Sequence, residues 1–160
     1  MTVTALKDQL LETWHINNRV HLMLLDAISD EGMASTLSKR GGRTVALQLA
    51  HVHNVRLQWL EVSAKDLLKG QTSIDTDGKV AKALLKKRLA ESANAIATLI
   101  ERGVETGGVV KGFKRGVVTM VGYFIAHESH HRGSILLTLK QSGHKIPTAV
   151  QYGIWEWGKL

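Results

Sequence analysis

The only proline in this chain, Pro147, lies close to its C-terminal end, so nearly the whole sequence is free of the residue that most reliably interrupts a helix. Four long stretches use that freedom, each repeating apolar residues at helical spacing. The first runs from about Thr2 to Ile28, with Leu6, Leu10, Trp14, Leu25 and Ile28 on one stripe. Asn17, Asn18 and His21 interrupt that stripe halfway. The second runs from about Thr44 to Leu68 and aligns Val52, Val55, Trp59 and Val62. The third, from about Lys79 to Glu101, turns Leu85, Leu89, Ile96 and Leu99 inward and a charged face outward. The fourth, from about Val117 to Gln141, aligns Val117, Met120, Val121, Phe124, Ile135 and Leu139.

Helices of this size reach on the order of 35 Å at 1.5 Å per residue. Four of them with apolar stripes predict an all-α four-helix bundle, a single domain over residues 1–160. Glycines mark the joints at Gly41-Gly42, Gly70 to Gly78 and Gly103 to Gly116. The first and third joints read as long enough to cross over the bundle. Gly143 stops the fourth helix, with Pro147 just beyond it. The tail from Val150 to Trp157, with Tyr152, Ile154, Trp155 and Trp157, is expected to pack on the bundle as a short final turn or helix.

Composition narrows the chemistry. There is no cysteine, which excludes disulfides, thiolate metal sites and a cysteine nucleophile, so any metal site must use His, Asp, Glu or backbone ligands. The same absence suits a reducing cytosol, and neither a signal peptide nor a membrane span is visible, so a cytoplasmic protein with no membrane partner is expected. The net charge of +7 is scattered apart from small clusters at Lys86-Lys87-Arg88 and Lys111 to Arg115. That pattern reads as a solvated basic surface rather than a nucleic-acid interface.

The strongest local feature is His127-Glu-Ser-His-His131-Arg-Gly133. His127 and His131, four residues apart, point from one helix face and can chelate one ion. They fall within the apolar stripe between Phe124 and Ile135, where each ring nitrogen needs a partner. Hydrogen bonds to Asn17, Asn18 or each other would also serve, but the wider histidine cluster favours a metal. The third ligand is expected from His51-Val52-His53, whose histidines lie about 200° apart on a helix. His51 stands beside the Val55 and Trp59 stripe and is chosen; His53, toward Arg56, is read as an exposed or rim residue.

His130 is expected at the site's edge or behind a ligand. His21, with Asn17 and Asn18, is either a satisfied core histidine or a pocket group. Arg132 is placed to pair with an anionic substrate or with an acidic residue on a neighbouring helix. Three neutral histidines leave coordination positions open, the pattern of a catalytic site; imidazole suits zinc, nickel, copper and iron. The run also fits H-E-x-x-H, in which Glu128 would be a general base. The longer metzincin pattern fails at Ser134, so the metallohydrolase reading ranks below the others and Glu128 is read as a surface or helix-pairing residue.

These residues resemble the DinB / YfiT-like family of metal-dependent four-helix bundles. The resemblance rests on Leu49-Ala50-His51-Val52 followed by Trp59-Leu60, on His127 to Ile135, on Gly143-His-Lys-Ile-Pro147, and on the closing Val150 to Trp157. It implies an up-down-down-up bundle and a metal site at His51, His127 and His131, with a divalent ion such as zinc or nickel. Ser134 departs from the glutamine that many relatives carry after Arg-Gly. Characterised relatives include S-transferases and isomerases that use bacillithiol, mycothiol or glutathione. The resemblance therefore implies a thiol-dependent S-transferase acting on small electrophiles, with a low-molecular-weight thiol as cosubstrate and a homodimeric assembly. The alternative is a non-catalytic metal- or ligand-binding stress or damage-inducible protein.

Overall fold

The computed structural model describes residues 3–160, which are helical apart from their links and one isolated bridge between Val110 and Phe113. The long helices are α1 (Val3–Ala27), α3 (Val45–Ser63), α4 (Lys82–Glu105) and α5 (Val117–Gln141); the short ones are α2 (Asp30–Met33) and α6 (Thr148–Gly153). The expected start of the first helix at Thr2 lies outside the described residues. None of the described helices is long and apolar enough to cross a membrane. Helix α1 packs on α4 and α5, and α3 packs on the same two.

Local chemistry sets the helix ends. Thr44 caps α3, its hydroxyl accepting from the Leu47 amide at 3.3 Å. Gly116 precedes α5 with φ +86°, and a Cβ there would lie 2.5 Å from the Gly108 carbonyl oxygen, so only glycine fits. Helix α3 ends at Ser63, earlier than the spacing predicts, because Ala64 adopts extended backbone with φ −158° and ψ 72°. A 3-10 turn, Lys65–Leu68, follows, and the link to α4 runs over 64–81 rather than the glycine-marked stretch alone.

The interior has three layers. One apolar cluster gathers Trp14, Leu57, Leu60, Ala93, Ile96, Ile100, Met120 and Phe124. A second gathers Leu24, Leu25, Leu49, Val52, Leu85, Leu89, Ile135 and Leu139. Between them on every long helix stands a buried polar residue: Asn17, Asn18 and His21 on α1, Arg56 on α3, Ser92 on α4, Glu128 and Arg132 on α5. Trp14 bridges the first cluster to this polar layer. Its indole N–H donates to the Ala93 carbonyl at 2.8 Å, its ring meets Phe124 at 5.6 Å, and the Arg56 guanidinium lies 4.8 Å over it.

The stripes of α4 and α5 are buried as the spacing predicts, while those of α1 and α3 need correction at their ends. Leu6 and Val62 are exposed, since each lies near a helix terminus where neighbours thin out. His53 and Arg56, read as a polar edge, are fully buried, because the 64–81 link covers one side of α3 and Glu128 neutralises Arg56 on the other. In the tail, Ile154 is buried but Tyr152 and Trp155 are exposed, so only part of that segment packs inward.

Candidate metal centre

Two helices supply the three histidines. On α5, the four-residue spacing puts the His127 and His131 rings on one face, with centroids 4.7 Å apart. From α3, the His51 ring enters edge-on, 5.4 Å from His127 and 4.9 Å from His131. One ligand atom from each ring lies within 4.8 Å of the other two. Tyr123 stacks on His127 at 6.0 Å with the rings nearly parallel, which limits how that ring can turn.

All three imidazoles are held in the neutral form. Burial lowers the His131 pKa to about 4, helped by the charges of His127 and His51. Burial is also the main reason that His51 and His127 titrate below the usual histidine range; Arg43 adds to the effect at His51. A neutral imidazole keeps a lone pair for coordination. The buried Nδ1 of His127 has no hydrogen-bond partner, and among the described residues no ring of the three bonds to another protein group. Three converging, unprotonated and unpaired imidazoles fit a divalent ion, and the three histidines could hold one.

His53, expected at the rim, instead points away from this cluster, its Nε2 lying 3.0 Å from the Thr72 carbonyl oxygen. His130 is exposed, its ring 5.4 Å from His131.

Behind the histidines the polar layer forms one connected network centred on Glu128. Arg56 donates to both carboxylate oxygens, from Nε at 2.7 Å and Nη2 at 2.9 Å. Asn17 donates at 2.6 Å, and His21 Nε2 lies 3.0 Å away. Arg56 Nη1 continues to Asn18 Oδ1 on α1 and to the Leu89 carbonyl on α4. A side chain of α3 therefore ties all four long helices together. Arg132 donates to Asn17 Oδ1 at 2.8 Å and to Ser129 Oγ at 2.6 Å, and its Nη1 lies 2.9 Å from His21 Nε2. It is thus tied to α1 and to its own helix rather than to an acid on a neighbouring helix.

The sequence of residues 1–157 matches the profile of the DinB family. The chain belongs to the DinB family. A comparison with curated proteins found no match.

In this DinB-family chain, Glu128 pairs helices, as one of its two expected readings had it, and is neither a surface residue nor a base facing the histidine cluster. Burial alone would raise its pKa, but Arg56 and His21 hold the carboxyl well below the usual range, so it is ionised and fully committed. Burial likewise lowers His21 to about 4, against the pull of Glu128. A neutral His21 with its proton on Nε2 donates to Glu128; Arg132 Nη1, itself a donor, then makes no hydrogen bond to that nitrogen, and the buried Nδ1 has no partner. Spacing alone did not single out Arg56, although it stands at a core position between Val52 and Leu60.

Proposed function

We propose that the chain is a divalent-metal-dependent enzyme of the thiol S-transferase type, acting on small electrophiles with a low-molecular-weight thiol as cosubstrate. The convergence of His51, His127 and His131 carries the reading. A zinc or nickel ion held there would lower the pKa of a thiol, so that the nucleophile exists at neutral pH. The chain's own part is to hold three neutral imidazoles in place and to leave the remaining coordination positions open. A thiol activated in this way needs no protein carboxylate as general base. Glu128, the one carboxylate of the H-E-x-x-H run, is occupied on both oxygens by Arg56, Asn17 and His21, which argues against the metallohydrolase reading.

Non-catalytic metal or ligand binding, as in a stress- or damage-inducible protein, is the second reading. It draws on the same three histidines and differs in predicting no turnover. A screen of bacillithiol, mycothiol and glutathione against epoxide and halide electrophiles separates the two: turnover with one thiol supports the transferase, and none with any thiol on fully metal-loaded protein supports the binding protein.

The long helices are proposed to run up, down, down and up. In support, α1 and α5 pass from the Trp14–Phe124 cluster to the Leu24–Ile135 cluster, while α3 and α4 pass the other way. A homodimer in the cytoplasm completes the proposal. The exposed Leu137, Tyr152 and Trp155 are candidate contacts, and sedimentation of the purified protein tests it.

A further inference from the structure

Next to the histidine cluster lies a polar cavity of about 290 Å³. Its walls follow from helix spacing. On α3, Gln48 stands one turn before His51; on α5, Ser134 stands one turn after His131, and Thr138 one turn further. His131 itself lines the cavity, so the space opens directly onto a proposed ligand. The remaining wall is the link between α2 and α3, which contributes Arg43.

Two side chains here have polar groups without a protein partner. Gln48 is 7% exposed, and its side-chain amide, with no protein hydrogen bond among the described residues, opens onto the cavity. Arg43 is exposed and, among the described residues, has no ion pair, although it is near enough to influence both His51 and His131. The link carrying it, residues 34–44, holds Lys39, Arg40 and Arg43 and no acidic residue. No carboxylate lines the cavity; hydroxyls, an amide, two imidazoles and a guanidinium do, beside the apolar Leu37. Such a set accepts anionic oxygens and offers them hydrogen-bond donors.

We propose that this cavity binds the carboxylate end of a small molecule whose other end reaches the histidine cluster, with Arg43 and the Gln48 amide as its partners. The proposal rests on the reading of His51, His127 and His131 as a metal site and adds the class of ligand that the site takes. One guanidinium beside neutral polar groups suits a singly charged carboxylate better than a dianionic phosphate. The thiol or the electrophile can carry that carboxylate; the recognition chemistry is the same for both.

The test uses zinc-loaded protein, with zinc content measured on each sample, and follows the Gln48 side-chain amide by ¹H–¹⁵N NMR. Four probes are titrated: 3-mercaptopropionate, 1-propanethiol, succinate and inorganic phosphate. The expected result is that 3-mercaptopropionate binds about tenfold more tightly than 1-propanethiol and moves the Gln48 amide signals. Arg43→Gln, a substitution at an exposed position, should remove the preference without changing zinc content. Equal binding of the two thiols to zinc-loaded protein, or an Arg43→Gln variant that keeps the preference, overturns the proposal. If the protein takes up no zinc but succinate still moves the Gln48 signals in an Arg43-dependent way, the cavity assignment stands and the metal reading fails. Inorganic phosphate is the remaining arm: if it binds more tightly than succinate, the carboxylate assignment is wrong.

Discussion

Arg56 and Glu128 form a bidentate ion pair, Nε to Oε1 at 2.7 Å and Nη2 to Oε2 at 2.9 Å, with both side chains fully buried. The pair joins α3 to α5, the same two helices that present His51 on one side and His127 and His131 on the other. Glu128 immediately follows His127, so fixing its carboxylate fixes the rotation of α5 about its axis. The ion pair therefore sets the facing of the candidate metal centre without touching it.

Glu128→Gln leaves Arg56 buried without its counter-charge. Breaking one side of a buried pair costs about 3–5 kcal/mol. Urea unfolding should show that loss in the midpoint. A general-base role would instead leave stability near that of the parent and abolish activity alone, so a variant with unchanged stability contradicts the structural role.

Stability should fall on acidification in metal-free protein. His21 is lowered to about 4 in the fold against about 6.5 in an unfolded chain, so below pH 6.5 the unfolded state binds the proton first. Its contribution is present at neutral pH and is lost as pH drops from about 6.5 to 4, on the order of 3 kcal/mol in full. His51, His53, His127 and His131 are lowered too and act in the same direction. Glu128, depressed by Arg56 and His21 against its burial, adds a further loss below the usual carboxylate range. Urea midpoints in the presence of a chelator should be lower at pH 5 than at pH 7; equal midpoints would show that these groups are not held neutral.

Gly103→Ala should destabilise the fold although alanine favours helices by about 1 kcal/mol. The added Cβ would lie 2.9 Å from Val110 Cγ2 and 3.1 Å from Val117 Cγ2, where α4 meets the link into α5. Overpacking of this kind costs about 1–3 kcal/mol. A lower melting temperature with unchanged metal content is expected, since the contact is remote from the histidines; a higher one would mean the valines yield freely.

The long helices could be read from the sequence because α4 and α5 carry clean apolar stripes, from Leu85 to Leu99 and from Val117 to Leu139. The His127 and His131 pairing followed from four-residue spacing, and the choice of His51 over His53 from its position beside Val55. The polar layer was harder to see. A stripe reading assigns charges to the surface, so Arg56 reads as a polar-side residue and Glu128 as either a surface or a helix-pairing one, although each occupies a core position, Arg56 between Val52 and Leu60 and Glu128 between Phe124 and Ile135. Their burial depends on meeting each other across two helices, which no single segment records. The end of α3 at Ser63 had no glycine or proline to mark it, and His53 is buried by a distant link that only the tertiary structure brings near.

His51, His127 and His131 are proposed to hold a divalent metal ion. Elemental analysis of protein purified without a nickel column tests it most directly. About one ion per chain is predicted in the parent and in a His144→Ala control, with loss of the ion in His51→Ala, His127→Ala and His131→Ala variants that remain folded by circular dichroism. Folded parent protein without bound metal, whose unfolding is unchanged by added zinc, nickel or chelator, would contradict the account.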